Sequence, residues 1–139
     1  MTPDGLTIFS SDYGPAETAD RLAAAVTARG MVVLARIDHA AAAEKAGMTL
    51  RPTEVLIFGN PRAGTPLMQK AQTMGIDLPL KALVWQDASG KTWLATNDPK
   101  WLASRHGILA GSEQALDAMT AALAGVAREA AKRPAVETP

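Results

Sequence analysis

Two β-prone runs, Leu80–Gln86 and Lys91–Thr96, are separated only by Asp87-Ala88-Ser89-Gly90. A parallel crossover needs a dozen or more residues, so a four-residue link joins antiparallel neighbours. This hairpin constrains the chain more than any other feature, because the strands added to it inherit its antiparallel frame. Trp85 and Trp93 flank the turn, which predicts that they lie near each other across the ladder. They belong to the core or, if exposed, to a dimer surface or an apolar ligand pocket.

The remaining elements follow in order. Leu6–Ser10 reads as a first strand. Pro15 suits the first position of a helix whose stripe is Ala19, Leu22, Ala23 and Val26, and which Gly30 closes. Met31–Ile37 is almost continuously apolar and reads as a central strand. Asp38 caps a short Ala-rich helix from His39 to Ala46, and Thr53–Phe58 is a β-branched strand. Thr65-Pro66 predicts a helix start, with Thr65 as cap, Pro66 at the first position and Gly75 at the end. Asn97-Asp98-Pro99 opens a short helix to Arg105. Ser112 caps a last helix to about Lys132 that buries Leu116, Met119, Leu123 and Val126.

The fold class expected is α+β, a mainly antiparallel sheet with two long helices packed on one face. A doubly wound α/β sheet is the alternative, but the second and third helices are short for crossovers. One domain over residues 1–133 is expected, with a flexible tail at 134–139, and 139 residues suffice for one core.

Net charge is zero, with a pI near 6.7, which removes the basic surface that non-specific nucleic-acid binding or a polybasic membrane anchor needs. The absence of Cys excludes disulfides, thiolate metal sites and Cys nucleophiles. No apolar run approaches the ~20 residues of a membrane span, and Met1–Ser11 lacks the pattern of a secretory leader. A soluble cytoplasmic protein without cofactor, metal, nucleic-acid partner or membrane association is the expectation.

Gly59-Asn60-Pro61-Arg62-Ala63-Gly64 has the Gly-x-x-x-x-Gly spacing of a phosphate loop. Such a loop continues with Lys and Ser or Thr, whereas Thr65 and Pro66 follow here, so nucleotide hydrolysis is not expected. What survives is an anion site, with Arg62 beside a helix start, or else a rigid strand-to-helix turn. Asp38 and His39 are adjacent and form an acid/base candidate, with a cap plus a surface histidine as the structural alternative. His106 is the second candidate base. Two His without Cys make a poor ligand set, so no metal site is expected. None of the serines has a nucleophile-elbow context.

Several segments together resemble the bacterial and archaeal family known as domain of unknown function 302. They are Ile37-Asp38-His39-Ala40-Ala41-Ala42, Arg51 to Pro61, Gly64-Thr65-Pro66-Leu67-Met68, Leu78-Pro79-Leu80-Lys81, Asn97-Asp98-Pro99 and Arg105-His106-Gly107. The resemblance implies a TBP-like order, β-α-β-β-β-β-α, with short inserted helices, and it implies homodimers. It implies no activity.

The function expected is that of a dimeric small-molecule-binding or accessory protein. Its pocket would lie where Asp38 and His39, Asn60 and Arg62, and Asn97 converge at one sheet edge, with His106 as a further ligand-binding residue. Two alternatives are an enzyme using His39 or His106 as general base on an anionic substrate held by Arg62, and a protein–protein interaction module built on the hairpin and its Trp side chains. Whether the chain is an enzyme stays open.

Overall fold

A computed structural model describes residues 2–134, so the end of the expected tail lies outside the described residues. Five strands form one sheet: β1 (Leu6–Ser10), β2 (Val32–Asp38), β3 (Thr53–Gly59), β4 (Leu80–Gln86) and β5 (Thr92–Asn97). The helices are α1 (Pro15–Ala28), α2 (His39–Lys45), α3 (Pro61–Lys70), α4 (Pro99–Arg105) and α5 (Glu113–Ala131), with a 3-10 turn at Gln72–Ile76. The order across the sheet is β1-β5-β4-β3-β2, and every neighbouring pair is antiparallel. With the short helices set aside, this is the expected β-α-β-β-β-β-α order.

The expected hairpin forms, with Trp85 directly opposite Trp93; because Gln86 pairs with Thr92, the second strand begins one residue later than the expected Lys91. The backbone N–H of Asp87 donates to the carbonyl of Lys91, and Gly90 takes φ +83° in the turn. That φ suits a residue without a Cβ. Helix α1 begins at Pro15 as expected. It ends with Gly30 N–H on Thr27 O and Met31 N–H on Val26 O, a Schellman closure that needs the left-handed φ of Gly30.

Alternation along the strands explains the layers. Leu56, Phe58, Val84 and Leu94 point to the helical side and are fully buried against Leu22 and Val26 of α1 and Leu116, Leu123 and Val126 of α5. Each fully buried side chain of this size contributes about 1.5–3 kcal/mol. The buried Thr18 hydroxyl is satisfied, lying 2.7 Å from Ser11 Oγ and donating to Gly14 O at 2.8 Å. Ile8, Val55, Ile57, Leu83, Trp85 and Trp93 fall on the other face, which neither long helix covers; they are half-buried.

Three expectations are corrected. Strand β2 is an edge, not a central strand: β1 pairs with β5 at the far side, so among the described residues no strand pairs with the outer flank of β2. Val32 and Leu34 are accordingly 56% and 59% exposed, and the pairing with β3 shifts register between Val33 and Ala35. Helix α3 starts at Pro61 rather than after Thr65, because Asn60 is the better-placed cap; its side-chain oxygen accepts the Arg62 N–H at 3.0 Å. Pro66 consequently sits inside that helix. Ser112 precedes α5 without capping it by its side chain; its hydroxyl instead accepts from Lys70 Nζ at 2.9 Å.

Candidate functional site

Strand β3 ends at Gly59 opposite Val32, the first residue of β2, so the loop that follows leaves from one corner of the sheet. Asn60 turns the chain into α3, and Pro61 occupies its first position, where the missing N–H costs nothing. Under this corner lies a cavity of about 730 Å³. Its walls are the start of β2, the Gly59–Met68 segment, the Leu78-Pro79-Leu80 approach to β4 (with a cis bond before Pro79) and one side of α5. The size falls in the range of small-molecule sites.

The lining is chiefly aliphatic, with Met31, Met68 and Met119 among it. Its polar side chains are Arg29, Asn60, Arg62 and Thr65. The oxygen of Asn60 is committed to the cap. Arg29 pairs with Glu129 at 2.8 Å, and its guanidinium lies over Gly125, where a Cβ would stand 2.3 Å from Nη2. The Arg62 side chain makes no ion pair or hydrogen bond among the described residues. Among the described residues, no carboxylate belongs to the lining. The cavity is therefore a largely apolar space with uncompensated positive charge at its rim, a place that favours an anion.

The expected convergence of three polar groups does not form. Asp38 lies six residues along β2 from Val32, and at the ~3.3 Å rise of a strand this places it about 20 Å from the cavity corner. There its side chain caps α2 by accepting the Ala41 N–H at 2.9 Å, and His39 is exposed at the helix start. Because β2 and β3 run antiparallel, the end of one meets the beginning of the other, which separates Asp38 from Asn60. Asn97 is at the same end of the sheet as Asn60 but two strands away, about 10 Å across the ladder. The neighbouring Asp98 caps α4. Neither Asn97 nor His106 lines the cavity.

His106 closes α4 and is held at both ring nitrogens. Nε2 lies 2.5 Å from Asp77 Oδ2, and Nδ1 lies 2.9 Å from Thr73 Oγ1. Arg105 donates to the same carboxylate, at 3.1 and 3.2 Å. The cluster ties α4 to the 3-10 turn. Among the described residues, no group of three or more His, Cys, Asp or Glu could hold a metal ion.

Of the six site residues expected from the sequence, the cavity thus gathers Asn60 and Arg62. It adds Arg29, whose position in the last turn of a helix reads equally well as a dipole effect, and Met119, which reads as core. The small residues Ala115, Ala118 and Ala122 leave the space open along α5. Their spacing of three and four marks one helix face and was the available signal.

The sequence profile of the family described as "Domain of unknown function DUF302" matches residues 7–126. Among curated proteins, the chain is 49% identical over 127 residues to "Fluoride-specific ion channel FluC 1" of Brucella suis biovar 1 (strain 1330), covering 91% of this chain and 50% of that protein. The protein of the same name from Brucella abortus biovar 1 (strain 9-941) is also 49% identical over 127 residues, covering 47% of its length. The chain therefore spans about half the length of the curated relatives it matches. Among solved structures, an uncharacterized conserved DUF302 protein from Bacillus stearothermophilus superposes with a TM-score of 0.82 at 20% identity, covering 92% of this chain and 99% of that one. No helix of the described residues is long and apolar enough to cross a membrane. The chain belongs to the DUF302 family.

Proposed function

We propose that this member of the DUF302 family is a small-molecule-binding or accessory domain that acts as a homodimer in the cytoplasm, with its site in the cavity under the Gly59–Met68 segment. One observation carries the reading: an aliphatic cavity of about 730 Å³ is rimmed by an arginine, Arg62, with no ion partner among the described residues. Binding is favoured over general-base catalysis because His106 has both ring nitrogens occupied and His39 stands at the far end of β2.

An accessory role fits the relatives. This chain matches only half of proteins named as fluoride-specific ion channels, and the matched length offers no membrane-crossing helix among its described residues. The membrane-spanning helices of such a channel would come from the half that this chain does not match. The uncovered sheet face with Leu83, Trp85 and Trp93 supports the dimer, since a half-buried apolar face of this kind is a common interface.

A thermal-shift screen against small metabolites tests the binding reading. A ligand at 100 times its Kd stabilises the native state by about 2.7 kcal/mol. A hit must vanish when Ala118→Phe fills the cavity; hits insensitive to that variant would remove the site. Sedimentation velocity tests the dimer, which Leu83→Glu on the open face should dissociate. If the chain sediments as a monomer at every concentration, the dimer is wrong.

A further inference from the structure

We infer that the cavity takes a monoanionic amphiphile with an aliphatic body, of the fatty-carboxylate class, and that Arg62 holds its head group. This rests on the binding reading above and goes beyond it by naming the ligand chemistry. The lining contains no Phe, Tyr or Trp, so a planar base or cofactor ring finds no aromatic surface to stack on. Three methionines offer flexible, polarizable walls that adapt to a hydrocarbon chain. Charge decides the rest. Arg29 is already neutralised by Glu129, and among the described residues Arg62 has no ion partner and no carboxylate lines the space. One free positive charge matches one negative charge, and a guanidinium presents a paired donor fork to a carboxylate.

The methionines also supply the readout. With 13C-methyl methionine in the full chain, Met31, Met68 and Met119 report on the cavity. Met48, 68% exposed and reached through α2 at the far end of β2, and the buried Met74 serve as internal references. The probes are decanoate, 1-decanol, adenosine monophosphate, and vesicles containing phosphatidylglycerol.

Decanoate should shift the three cavity methyls and leave Met48 in place. Arg62→Gln should weaken it on the order of tenfold, and Arg62→Lys should weaken it less. Arg62 is exposed, so neither variant threatens folding. If 1-decanol binds as tightly as decanoate and Arg62→Gln changes nothing, the head-group assignment is overturned while the cavity remains a binding site. A response to adenosine monophosphate but not to decanoate overturns the aliphatic assignment and likewise spares the site. A response to vesicles alone overturns the proposal in favour of a membrane lipid. If no probe moves the three methyls and the metabolite screen is also empty, the binding reading falls with it.

Discussion

The guanidinium of Arg29 occupies the space over Gly125 that a side chain would fill: a Cβ there would stand 2.3 Å from Nη2 and 2.5 Å from Cζ. The last turn of α1 is thereby pinned to the middle of α5 at the wall of the cavity, with Glu129 as the ionic partner. The obstacle is the far end of a flexible side chain, so two opposing terms decide what an alanine does. Gly→Ala in a helix interior gains about 1 kcal/mol, and an exposed ion pair contributes about 0.2–1 kcal/mol. Gly125→Ala should therefore be neutral to slightly stabilising in urea unfolding. In an Arg29→Ala background it should deliver the full gain, and equal effects in both backgrounds would show that Arg29 does not rest on Gly125.

Asn60 ends a strand and starts a helix with one side chain. Asn60→Ala removes the acceptor for the Arg62 N–H and should cost about 1 kcal/mol, whereas Asn60→Asp keeps the cap and should cost little. Chemical denaturation of the two variants side by side is the check. If they prove equally destabilised, Asn60 matters through something other than its cap.

His106 joins α4 to the 3-10 turn through Asp77 and Thr73. Its side chain is 7% exposed, and loss of the ring leaves the Asp77 carboxylate with Arg105 alone among its side-chain partners. His106→Ala should destabilise by about 1–3 kcal/mol while leaving ligand binding in the cavity intact. Loss of binding with unchanged stability would instead place His106 in the functional site and revive the general-base reading.

The hairpin turn carries a pH dependence of determined sign. The Trp93 indole N–H, at 2.9 Å, and the backbone N–H groups of Lys91 and Ser89 hold the Asp87 carboxyl below its ordinary value of 3.8. A depressed folded value means the unfolded chain binds the proton more readily. The stabilisation is present above pH 3.8 and is lost as pH falls through the lower folded value. Tryptophan fluorescence of the native protein should change over that acid window, and Asp87→Asn should abolish the step. A step that survives in Asp87→Asn would assign the titration to another carboxyl.

Much of the fold was legible in the sequence because it depends on short-range physics. Four residues between two β-prone runs permit only a hairpin, although the register that faces Trp85 with Trp93 takes Lys91 into the turn as well. The helical stripes of α1 and α5 named their buried faces, Leu22 and Val26 on one, Leu116, Leu123 and Val126 on the other. The family segments, read together, supplied the strand and helix order.

Competing local signals were harder to rank. Asn60-Pro61 and Thr65-Pro66 each spell a cap followed by proline, and nothing in the string says which one the helix uses. The choice falls to Asn60, where the chain leaves β3 and its oxygen reaches the Arg62 N–H.

Long-range decisions lay beyond the sequence altogether. Met31–Ile37 has the apolar run of a central strand, yet β1 pairs with β5, and that remote pairing alone makes β2 an edge. The same antiparallel arrangement sets Asp38 and His39 a strand's length from Asn60 and Arg62. Periodicity decides which side of an element is apolar. Which elements meet, and which corner of the sheet stays open above a row of alanines on α5, depends on contacts between residues far apart in the chain, and only the tertiary structure decided that.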